Sequence, residues 1–142
     1  MNQVSPKKGN FSTGAGRHYC GNIGKVDNSQ VGVFAAYASS KGYALVDREL
    51  YIPEKWFDDA YAQKREKCRF PEELEFKTKP ELATEMFRKI KEEATLPFRY
   101  VTADSICGEN PTFISAIEEC HDVVYFVSMG SDTSFWLQQP KT

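Results

Sequence analysis

The sequence predicts a single α/β domain, on three observations. Residues 31–52 carry two apolar runs around a Ser-Ser-Lys-Gly break, which reads as a β-hairpin. Thr78 and Glu81 stand in capping-box spacing ahead of a periodic apolar stripe, which reads as a helix. Residues 98–128 then alternate strand, helix and strand patterns, which implies two parallel neighbours joined by a right-handed crossover. With 142 residues there is room for one domain with a core, and 41% hydrophobic with 27% charged residues is the balance of a globular chain rather than a disordered one.

In chain order, residues 1–30 are rich in Gly, Asn, Ser and Lys and favour irregular backbone, so a basic Gly-rich loop is expected there. In the second arm of the 31–52 hairpin, Ala44, Val46, Leu50 and Ile52 make the even-numbered face the more apolar, and that face is expected to turn inward. Residues 54–96 form a helical segment: Glu54 to about Lys67 is a charged helix with Trp56, Phe57, Ala60 and Tyr61 on its apolar side. A second helix begins at Thr78 with Pro80 in its first turn and Leu82, Met86, Phe87 and Ile90 on one stripe. Phe98–Ala103 is a strand, Asn110-Pro111 opens a helix with Phe113, Ile114 and Ile117 inward, and Val123–Val127 is a buried strand. Residues 129–142 read as a tail.

The net charge of −2 conceals a gradient. Lys7, Lys8, Arg17 and Lys25 lie in residues 1–26 without one acid, whereas residues 101–142 hold six acids and only Lys141. No run reaches the length of a membrane span and Met1 is followed by polar residues, so no membrane association and a cytoplasmic location are expected. Cys20, Cys68, Cys107 and Cys120 form no CxxC pair and are expected as free thiols.

Asp104 is the leading candidate for chemistry, because it falls just past the C-terminal end of a parallel strand, where open α/β sheets place their ligand crevices. The ordinary alternative is a turn aspartate satisfying nearby backbone amides. One carboxylate is also too few for two-metal phosphodiester chemistry, which needs several converging from different strands. His18, Cys20, Cys120 and His121 match no structural-zinc spacing, Cys107 lacks an evident base, and Gly21-Asn22-Ile23-Gly24-Lys25 lacks the phosphate-loop pattern.

Several ordered strings carry a resemblance. Pro6-Lys7-Lys8-Gly9, Arg17 through Asn28, Gln30-Val31-Gly32-Val33, Asp47 through Pro53, Thr78 through Ala83 and Val101-Thr102-Ala103-Asp104-Ser105 together resemble the insertion-sequence transposases of the DDE superfamily, in the group named for insertion sequence seven-oh-one. The resemblance implies an RNase H-like mixed sheet with flanking helices, and DNA cutting and joining at a Mg2+ or Mn2+ site made by two aspartates and a glutamate. Asp104 aligns with the second aspartate, as catalytic residue and metal ligand. The basic stretch implies DNA phosphate contacts from Lys7, Lys8, Arg17 and Lys25, with transposon ends and target DNA as partners in the intact enzyme.

The family's Asp-Asp-Thr string is replaced by Met1, Asn2 and Gln3, and no segment matches the catalytic glutamate. The resemblance therefore implies a prokaryotic transposase fragment lacking its first, central strand and inactive alone. The other reading is a non-catalytic remnant that binds DNA or a full-length transposase, by itself or by self-association. A third is an unrelated small α/β enzyme using Asp104 or Cys107.

Overall fold

The computed structural model describes residues 2–7, 12–20 and 24–134. A long strand, β3 (Lys25–Ser39), organises the first sheet. On one edge it pairs antiparallel with β1 (Asn2–Pro6), from Asn2↔Val33 to Pro6↔Ser29. Its opening residues pair with β2 (Gly16–Cys20), and Val31 onward pairs with β4 (Gly42–Tyr51). At Val31 the strand is flanked on both sides, by Val4 and by Tyr51. Ser29, Val31 and Val33 are almost completely buried. Two β-branched side chains at alternate positions of a doubly paired strand suit a pleated, covered face.

The opening segment corrects the expectation of an irregular loop over residues 1–30, since it supplies β1, β2 and the start of β3. The strand expected to be missing has a counterpart in β1, which takes the edge of β3 away from β4. Pairing explains both corrections: short strands of mixed polarity form here because β3 offers both edges, a tertiary cause that local composition does not carry.

The inward face of β4 is a third correction. Register places Tyr51, Glu49 and Asp47 beside Val31, Val33 and Ala35, so the odd-numbered face looks toward the helical layer. Tyr51 packs against the buried Val33, Leu82 and Met86, whereas Val46 and Leu50 are exposed. The face follows the partner strand, and a bulge between Ala35 and Ala36 shifts the pairing farther along.

After Pro53 the chain makes two short 3-10 turns, Glu54–Trp56 and Asp59–Tyr61, before α1 (Ala62–Cys68), in place of one continuous helix. The Arg65 guanidinium donates to the carbonyls of Trp56 (2.6 Å) and Asp58 (2.7 Å), which fixes the break. Trp56 is buried, stacks on Phe70 and donates its indole N–H to Ala15 O at 2.9 Å.

Helix α2 (Lys79–Glu93) begins where the capping box sets it: Thr78 Oγ1 accepts from Glu81 N, and the Glu81 carboxylate accepts from Thr78 N at 2.7 Å. Leu82 and Met86 pack on Val33, while Phe87 packs with Cys107, Phe113, Ala116 and Ile117. Those partners belong to the last unit, in which β5 (Tyr100–Ala103) and β6 (Val124–Val127) pair in parallel across α3 (Ser105–Gly108) and α4 (Pro111–Glu118). Asn110 caps α4 by accepting from Phe113 N at 3.0 Å. Among the described residues no helix is long and apolar enough to cross a membrane.

Replacing Thr78 by Ala removes one partner of the box and should lower unfolding stability by about 1 kcal/mol, read by denaturant titration. A second prediction concerns acid. Lys89 bonded to Asp47, Thr78 bonded to Glu81 and Lys91 bonded to Asp122 hold all three carboxyls below their ordinary pKa values. The unfolded chain therefore takes up these protons first, and the stabilisation present above about pH 4 is lost as pH falls through that region. Thermal melts should show a lower Tm at acid pH, and Asp47→Asn should narrow the difference; an Asp47→Asn variant with an unchanged acid response contradicts this assignment.

Candidate functional site

Asp104 follows directly on β5 and sits at the N-cap of α3 with extended backbone, φ −75° and ψ 175°. Its carbonyl accepts from Cys107 N (3.2 Å) and Gly108 N (2.8 Å), so the backbone starts the helix while the side chain does not cap it. Ser128 N donates to Ala103 O at 3.0 Å, which extends the β5–β6 pairing to the residue before Asp104. The carboxylate thus lies at the C-terminal end of a parallel strand, at the place expected from the sequence.

Gly108 explains why α3 can turn so tightly there. A Cβ at this position would overlap Ser128 O and lie 2.9 Å from Val127 Cβ, so the glycine lets α3 press onto the end of β6. Cys107 is buried beneath the turn, and burial, followed by the neighbouring Asp104 charge, pushes its thiol pKa up. A thiol held protonated in this way is a packing group, not a nucleophile. All four cysteines are free.

A divalent metal needs several oxygen ligands drawn together. Among the described residues there is no group of three His, Cys, Asp or Glu side chains able to hold a metal ion. Glu109 and Asp132 approach each other at Gly130, where Glu109 is occupied in accepting from Gly130 N. The described residues therefore do not form the expected Mg2+ or Mn2+ site, and among them Asp104 belongs to no such ligand group.

The basic candidates are distributed over the β1–β2–β3 end of the first sheet. Arg17 pairs with Asn28 across β2 and β3, and Lys7 N donates to Asn28 O at 2.8 Å from the other edge, so Lys7 and Arg17 flank one residue. Arg17 is exposed. Lys25 forms an exposed ion pair with Asp27 at 3.1 Å. Lys8 lies outside the described residues. The sequence reading did not single out Lys55 or Lys79, which the fold brings to His18; positions so far apart in sequence carry no spacing signal.

The mixed sheet expected from the sequence is here an antiparallel sheet beside a separate parallel pair, and this arrangement, flanked by helices and with an aspartate following the first parallel strand, is consistent with an RNase H-like nuclease domain. The chain belongs to the family described as DDE superfamily endonuclease, which it matches over residues 4–142. No curated protein and no solved structure shows significant similarity to it.

Gly108→Ala should destabilise the protein by about 1 to 3 kcal/mol through overpacking against Ser128 and Val127, measured by urea unfolding. In the same experiment Cys107 should resist alkylation until the transition, while half-buried Cys68 and Cys120 react earlier; early labelling of Cys107 contradicts its packing role.

Proposed function

We propose that this chain engages DNA as a transposase-type domain of the insertion sequence seven-oh-one group, with Asp104 as one catalytic carboxylate and Lys7 and Arg17 as phosphate contacts. Family membership across residues 4–142, with Asp104 at the end of β5, carries the reading. Cutting and joining a phosphodiester calls for more than one carboxylate, and Asp104 belongs to no group of three such donors among the described residues. By itself the chain is therefore expected to bind DNA without cleaving it.

A nicking assay on supercoiled DNA with Mg2+ or Mn2+, beside filter binding at several salt concentrations, tests this. The expected result is salt-weakened DNA binding and no cleavage by the chain or by Asp104→Ala. Cleavage that Asp104→Ala abolishes overturns the claim of inactivity, and absence of DNA binding overturns the reading. That Asp104 belongs to no group of three metal-ligating side chains among the described residues also favours a second reading, in which the chain regulates an intact relative by joining its assembly. Addition of the chain to such an enzyme should then reduce cleavage in proportion to its share of the mixture; unaltered cleavage removes this second reading.

A further inference from the structure

On the helical side of the first sheet three basic side chains from three separate elements converge. Successive residues of a strand face opposite ways, so His18 of β2 points away from the face that carries Arg17. A methyl group built on Gly16 would lie 3.1 Å from His18 Nε2 and 3.2 Å from Lys55 Nζ, so both reach the space left by the missing side chain. The Tyr51 ring joins the third: its centroid is 6.3 Å from that of His18 and 5.1 Å from Lys79 Nζ, at the first residue of α2.

Among the described residues neither Lys55 nor Lys79 forms an ion pair, whereas Lys25, Lys77, Lys89 and Lys91 each do. His18 Nε2 is screened from solvent and has no hydrogen-bond partner among the described residues. The nearby acid is Glu54, whose charge acts on Tyr51. Burial, then the Lys79 and Lys55 charges, pushes the His18 pKa down, so the imidazole is neutral at neutral pH and the two ammonium groups supply the charge. Like charges gathered without an ion-pair partner raise each other's energy, and a bound oxyanion relieves that repulsion while accepting from lysine N–H groups and from an imidazole N–H.

We propose that His18, Lys55 and Lys79 form a second DNA contact, holding a backbone phosphate on the face of the sheet opposite Arg17. The inference rests on the DNA-engaging function above and deepens it, since β2 then contacts phosphates from both its faces.

The test is the salt dependence of duplex binding by the 142-residue chain. Each phosphate contact contributes about one unit to the slope of log Kd against log salt. The double variant Lys55→Gln/Lys79→Gln should reduce that slope by about one, Lys55→Arg/Lys79→Arg should restore it, and duplex DNA should shift the His18 ring resonances. Lys79→Gln alone, at the start of α2, should remove part of that unit and serves if the double variant does not fold. An unchanged slope in a folded variant overturns the proposal while leaving the DNA function intact. No DNA binding by the unaltered chain overturns both. Ring shifts produced by inorganic phosphate but not by duplex overturn the DNA assignment in favour of a free-anion site.

Discussion

The packing of α2 against both sheets is the constraint on which the arrangement rests. Among the described residues no strand of the β1–β4 sheet pairs with β5 or β6. The two layers are joined instead through one helix, which sends Leu82 and Met86 to Val33 and turns Phe87 to Phe113, Ala116 and Ile117, with Ala83 touching both clusters. An amphipathic helix usually buries one stripe; α2 buries an extended one, because apolar positions at 82, 83, 86 and 87 cover two adjoining directions of the helical wheel. The Tyr37 hydroxyl adds a peripheral tie by donating to Pro97 O at 2.8 Å.

This bridge gives the candidate chemistry its geometry. Asp104 belongs to the unit on one side of α2, and the basic residues of β2 belong to the sheet on the other. The N-terminus of α2 also carries Lys79 to His18 and Lys55, so the same helix that packs the core delivers a positive charge to the sheet. Asp104 has a rigid setting from α3 and β6 and belongs to no group of metal ligands among the described residues.

Much of the architecture was legible where side-chain chemistry acts locally. Thr78, Pro80 and Glu81 set the start of α2, Asn110 and Pro111 set α4, and the apolar runs around Asp104 gave the parallel pair. Legibility failed where long-range pairing decides. β1 and β2 arise because β3 has two edges to satisfy, and the inward face of β4 follows Val31 and Val33 rather than its own hydropathy. The aromatic cluster of Trp56, Phe57 and Phe70 similarly favoured short turns over the helix that periodicity suggested. His18 was visible as a possible ligand, but only topology unites it with Lys55 and Lys79.

Hydrogen exchange resolved along the chain in Met86→Ala tests the bridging role of α2. Met86 packs with Val33 and Leu82 in the cluster on the first sheet, and its truncation should cost about 2 to 5 kcal/mol. If α2 holds both layers in one cooperative unit, amide protection in β5 and β6 should fall together with that in β3. Protection retained at Val101 and Val127 while β3 opens would show that the layers are stable independently, and would contradict the account.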